Sequence, residues 1–120
     1  MQTPKKLTAA DFLDGAAKPA IEPVDCPELG GVVYVRELSA VEADEMEAEA
    51  YRLQQDGGSP LANFKARLVV RAACDSEGNR LFADSDAGKL GTVGKRIVTR
   101  IYRRAAALNG METAETEKGN

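Results

Sequence analysis

The chain has no histidine and no tryptophan, only two cysteines, and aromatics at just 5% of its 120 residues. The missing histidine removes histidine-based triads and the commonest ligand for zinc. Cys26 and Cys74 lie far apart with no CxxC spacing, so a structural zinc site cannot be assembled from soft ligands either. No GxGxxG, phosphate loop or GxSxG elbow is present. No apolar run approaches the ~20 residues of a membrane span. The N-terminal stretch "MQTPKKLTAADF" has no apolar signal region, so both cysteines are expected as thiols in a reducing cytoplasm. Paired carboxylates are plentiful but fall within helical acidic runs, where a solvated face is their ordinary role. These absences argue against an enzyme and lead us to expect no cofactor and no metal.

What is present suits one modest core of Leu, Val, Ile and Ala, as expected for a single domain of this length. One segment imitates a metal site. Asp75 to Asp86, "DSEGNRLFADSD", nearly outlines a calcium loop, with alternating polar residues and a closing carboxylate. Such a loop needs glycine at its sixth position. Here the glycine is Gly78, at the fourth, and the sixth is Arg80, a cation where another cation should be wrapped. Ser76-Glu77-Gly78-Asn79 reads instead as a turn between two apolar segments.

The remaining pattern predicts a mostly helical α+β domain over residues 1–110, with 111–120 a disordered tail. Residues 7–14 read as a short helix capped by Thr8 and stopped by Gly15. "IEPVDC" and "VVYVREL", joined across Gly30-Gly31, read as a small N-terminal β-hairpin. About four helices are expected after it. Ser39 and Glu42 form a capping box for a helix to about Gln55, with Ala43, Met46, Ala50 and Leu53 as its buried stripe. Asp56-Gly57-Gly58 ends that helix. Ser59-Pro60 reads as the start of the next, running to about Cys74 with Leu61, Phe64, Leu68 and Ala72 inward. Asp84 reads as the N-cap of a short helix to Leu90, with Gly91 at its C′ position. Thr92 reads as the cap of a last helix to Leu108, with Val93, Ile97, Ile101, Ala105 and Leu108 on its apolar side. Asn109-Gly110 stops it.

The net charge is only −3, yet it is unevenly placed. Five acids lie between Glu42 and Glu49, whereas Lys89 to Arg104 holds six cations and no anion. Lys95, Arg96, Arg100, Arg103 and Arg104 gather on the side of the last helix opposite its apolar stripe, and form the candidate partner-binding face. Three readings follow. The faces could be solvated and pair weakly within one molecule. They could meet an acidic protein surface, including another copy, in head-to-tail rings or spirals. Or the short helix, glycine turn and basic helix could be a helix-turn-helix of a small DNA-binding regulator. The start of the last helix offers Val93 and Gly94 where base-reading side chains belong, which counts against nucleic acid.

Three passages carry a resemblance: "VDCPELGGVVYVRELSAVEADEMEA", "ANFKARLVVRAACDSEGNRLFADSDAGKLG" and "RAAALNGM". In this order and spacing, over roughly residues 20–111, they resemble the tail assembly chaperones of lambda-like long-tailed phages or prophages. The most recognisable parts are Pro27 to Glu42, Cys74 to Asp86, and Leu108-Asn109-Gly110. The resemblance implies a non-catalytic assembly factor that binds the tape measure protein, keeps that long, apolar-faced helical protein soluble, and helps recruit tail tube subunits. It implies action in the cytoplasm of the bacterial host and absence from the mature virion. Members of the family are often made in two lengths by ribosomal slippage, and "EKGN" is compatible with the heptamers A AAG GGN and G GGA AAC. A longer product diverging after about Lys118 is therefore expected. Leu68→Asp and Ile97→Asp are expected to unfold the domain, and Arg100→Glu to change association alone.

Overall fold

The computed structural model describes residues 3–16 and 18–111. Its elements in chain order are α1 (Ala9–Ala16), β1 (Ile21–Cys26), β2 (Gly31–Arg36), α2 (Ala40–Gln55), α3 (Phe64–Ala72), β3 (Ala73–Cys74), α4 (Ala87–Leu90) and α5 (Lys95–Leu108). Short 3-10 turns occupy Pro27–Leu29 and Asp84–Asp86. The class is the expected one, α+β and mostly helical, and the short helix expected ahead of the hairpin is α1, which runs through Gly15 to Ala16.

The β-branched run of β2 pairs with β1 in register from Ile21 opposite Arg36 to Cys26 opposite Gly31. Gly30 closes the connection at φ 73°, a left-handed conformation that glycine adopts without steric cost. Period-two alternation turns Val24, Cys26 and Val35 inward on one face. A third strand was not legible. Ala73 and Cys74 continue the helical pattern before them, but pair with Val35 and Tyr34 on the free edge of β2, giving the order β1-β2-β3. Cys74 then bridges Arg80, so residues 75–80 form a tight reversal and not a metal loop. The Asp75 carboxylate is used up inside that turn, accepting from the amides of Glu77 (2.9 Å) and Asn79 (3.0 Å) and from the Asn79 side chain (3.2 Å).

Helix α3 is the centre of the molecule: every residue from Ala66 to Ala72 is buried, arginines included. It starts four residues later than Ser59-Pro60 suggested. The Ser59 hydroxyl accepts from the amide of Leu61, which makes a turn, and Asn63 sits at φ 51°. The reason is Arg67. Its guanidinium takes the carbonyls of Ala62 (2.9 Å) and Pro60 (2.6 Å), which a longer helix would need for its own ladder. At the other end Ala73 already has extended backbone. The last carbonyls of the helix are met from elsewhere: Val69 by the Ala73 amide, Val70 by Arg80 (2.8 Å) and Arg71 by Arg36 (2.8 Å).

Helix α5 crosses α3 and the sheet. It buries Val98, Ile101, Tyr102, Ala105 and Ala106, and Tyr102 meets the Phe64 ring edge-on at 6.1 Å. The expected stripe was partly displaced. Ile101 and Ala105 are in it, Ile97 and Leu108 are only half-buried, and Val93 lies outside the helix and exposed. Gly94, not Thr92, is the N-cap; the Thr92 hydroxyl donates to the Lys89 carbonyl. Asp84 is likewise no N-cap. It pairs with Arg80 at 2.7 Å, and the Ala83 amide bonds Asp86. Gly91 has ordinary helical φ; its need is space, since a Cβ there would stand 2.8 Å from the Asn63 carboxamide. Asn109 does more than stop α5. Its side chain accepts from the Leu38 amide (2.7 Å) and donates to the Arg36 carbonyl (3.3 Å), tying the β2–α2 link to the helix end. Met111 packs against the core, so the domain reaches one residue past 110. The rest of the expected tail lies outside the described residues.

Helix α2 begins at the Ser39–Glu42 capping box, as expected. Its stripe is not buried as expected: only Met46 is, Ala50 and Leu53 are half-buried, and Ala43 is exposed. The helix is held instead by charge. Glu42 forks onto Arg36 at 2.9 and 2.6 Å, and Glu49 reaches Arg67 (3.2 Å) and Arg71 (3.4 Å), both arginines being buried. The hydrogen bonds from Arg36 hold the Glu42 carboxyl down at about 2. A carboxyl lowered in the folded state stabilises the fold fully above its unfolded value, about 4.3, and loses that contribution as pH falls toward 2. The expected loss is about 2–3 kcal/mol, and Asp75 and Asp84, also lowered, push the same way. Denaturant titrations at pH 7 and pH 3 check this: Glu42→Gln should narrow the gap between the two, and an unchanged gap would refute it.

Candidate functional site

Helical geometry sets Lys95, Arg96, Thr99, Arg100, Arg103 and Arg104 along one side of α5, where successive turns bring i, i+4 and i+8 into line. The sheet supplies the opposing wall with Pro23, Val24 and Asp25 of β1. Between them lies a shallow groove of ≈ 880 Å³. All five residues of the candidate face therefore line one feature.

They are not equivalent. Arg100 is half-buried and grips Glu28 with both guanidinium nitrogens at 2.7 and 2.6 Å. Those hydrogen bonds hold the Glu28 carboxyl at about 2, while Glu28 raises Arg100 above the usual arginine value. Arg104 pairs with Glu22 at 3.1 Å. Arg103 is exposed on the same side. Lys95 and Arg96 are exposed, and among the described residues no acid lies within ion-pair range of either. Arg100→Glu would thus set two carboxylates against each other across the hairpin clamp, so it no longer tests association alone. Lys95 and Arg96 are the cleaner probes.

Sequence reasoning missed the hairpin acids. It set the cations of α5 against the acids of α2, but Glu42 and Glu49 are spent on Arg36, Arg67 and Arg71, leaving Asp44, Glu45 and Glu47 outward. The signal was present in "IEPVDCPEL", whose Glu22, Asp25 and Glu28 recur every three residues beside a strand that had to pack somewhere. Among the described residues no cluster of three His, Cys, Asp or Glu side chains could hold a metal, and no helix is long and apolar enough to cross a membrane. Both cysteines are buried and free, and burial pushes the Cys74 thiol up.

The arrangement of a hairpin, a central buried helix and a long amphipathic helix laid across both is found in a solved structure, that of the bacteriophage HK97 tail assembly chaperone. The two superpose with a TM-score of 0.60, covering 87% of this chain and 99% of that one, at 15% sequence identity. The chain has the fold of that chaperone. No family model matches its sequence, and no curated protein matches it either. The likeness agrees with the resemblance read from the sequence, and the geometry does not suit a helix-turn-helix. In such a motif α4 would be the first helix, and it spans four residues.

Proposed function

We propose that the chain is a non-catalytic phage or prophage tail assembly chaperone. It binds the tape measure protein, keeps it soluble and helps recruit tail tube subunits. The observation that carries this reading is the fold shared with the HK97 chaperone over nearly the whole of both chains. The basic groove supports a binding role. It is open, bounded by a helix and a strand, and offers the acids of a helical segment two exposed cations, Lys95 and Arg96, that form no ion pair among the described residues. In the same reading the protein self-associates into rings or spirals, works in the cytoplasm of the bacterial host, and is absent from the finished virion. A minority product diverging after about Lys118 completes it, and the codons at that point of the gene decide whether slippage can occur.

The test is a titration of this chain against the tape measure protein encoded beside it. Lys95→Glu with Arg96→Glu should weaken binding about tenfold or more and flatten its salt dependence, because like charges then face the partner. Undiminished binding would remove the α5 face from the site. Absence of wild-type binding, together with sub-micromolar affinity for duplex DNA, would overturn the reading itself.

A further inference from the structure

The basic groove has a neighbour of different character. Where α5 meets α3 and α4, a second groove of ≈ 810 Å³ opens to solvent. Phe64, Leu90, Tyr102 and Met111 give it an apolar lining, and Leu61 and Val93, 70% and 43% exposed, belong to the same wall. Exposed apolar side chains are ordinary when scattered singly; here they gather around one trough.

The charge around that trough has one sign. Lys65 and Lys95 line it and no acid does, although the chain as a whole carries a net charge of −3. Neither lysine forms an ion pair among the described residues. The Lys65 ammonium stands 5.6 Å from the centroid of the Tyr102 ring, which sets its charge directly over the apolar lining. Helix α5 starts at the same place. Its N-cap, Gly94, supplies no side-chain cap, and its first turn holds cations where the positive end of a helix favours acids. Thr99, one turn beyond Lys95, lines both grooves; it is 8% exposed, and its hydroxyl has no hydrogen-bond partner among the described residues. Native proteins rarely leave such a hydroxyl unpaired. An acceptor drawn to Lys95 would arrive beside it.

We infer that this groove takes an amphipathic helix with acidic flanks. Apolar residues spaced i, i+3, i+4 and i+7 lie against Phe64, Leu90 and Tyr102, and carboxylates beside them meet Lys65 and Lys95. The inference rests on the proposed function and deepens it. Lys95 belongs to both grooves, so a tape measure helix whose acids reach the α5 face sets its apolar side in the trough alongside. That side is the one an assembly chaperone has to cover.

Two synthetic helical peptides test it, with one apolar stripe in common and flanks of glutamate in the first and lysine in the second. The net charge of the chain by itself favours the lysine peptide, so the choice between them is informative. Wild-type chain should bind the glutamate peptide about tenfold or more tightly than the lysine peptide. Leu61→Asp with Val93→Asp should abolish that binding with circular dichroism unchanged, because both side chains are exposed. Lys65→Glu with Lys95→Glu should reverse the preference. No binding, equal binding of the two peptides, or a preference that survives the charge reversal would each overturn the inference. So would a fall in the sedimentation mass of the Leu61→Asp, Val93→Asp protein alone, which would put a second copy in the groove. Tape measure binding by the same variants separates the two ideas. A wild-type chain that discriminates the peptides but ignores the tape measure protein removes the proposed function and keeps the groove. Tape measure binding undiminished by Leu61→Asp with Val93→Asp removes the groove and keeps the function.

Discussion

Leu68→Asp should leave a chain with no cooperative thermal transition and a far-UV spectrum close to that of the denatured protein. Leu68 is fully buried, as are Val69, Val70 and Ala72 beside it. A carboxylate there would lose water on every side and find no cation aimed at it, because the nearby arginines are committed to carbonyls and acids at the ends of α3. Burying such a charge costs more than the ~5–15 kcal/mol that holds a domain of this size together. Ile97→Asp, by contrast, should be milder than the stripe on α5 suggested, because Ile97 is only half-buried. A folded Leu68→Asp protein would mean that α3 does not occupy the centre.

The second large effect should come from a residue that looks like surface. Glu49→Ala is expected to cost about 3 kcal/mol, read as a shift of the denaturant midpoint with unchanged slope. Glu49 is the acid shared by Arg67 and Arg71, whose side chains are each 6% exposed. Removing it leaves two buried guanidinium charges held by backbone carbonyls, with Asp84, at 3.9 Å from Arg71, the remaining carboxylate in ion-pair range among the described residues. Glu47→Ala, on the exposed side of the same helix, should shift stability by no more than about 0.5 kcal/mol. Equal effects from the two would show that the buried ion triad contributes nothing.

That contrast also marks how far the sequence could be read. Features decided within a few residues were legible: the Ser39–Glu42 box, the hairpin, the turn at Gly78 and the cationic side of α5. Features decided by distant partners were not. Ser59-Pro60 has the right residues for a helix start, but Arg67 claims the carbonyls that start requires. Ala73-Cys74 has a helical pattern, but β2 offers its free edge. Arg67 and Arg71 sit at i, i+4 like any solvated pair; the clue lay around them, since "ARLVVRAAC" is otherwise apolar on all sides, and such a helix is buried with whatever charges it carries. For the candidate site, the five cations could be named from spacing alone. Their division into tied and untied members depended on Glu22 and Glu28, which the hairpin brings to α5 only in three dimensions.

The way α3 finishes has a further implication. Its last turn has no terminating motif of its own, and two of its final carbonyls are held by side chains from β2 and from the residue that closes the Gly78 turn. Lysine could not stand in at position 36, because a single ammonium cannot serve the Glu42 carboxylate and the Arg71 carbonyl with the planar reach of a guanidinium. Helix end, sheet edge and turn therefore form one cooperative opening unit. Amide protons at Ala73, Val35 and Leu81 should exchange with deuterium at a common rate, and Arg36→Lys should quicken all three together.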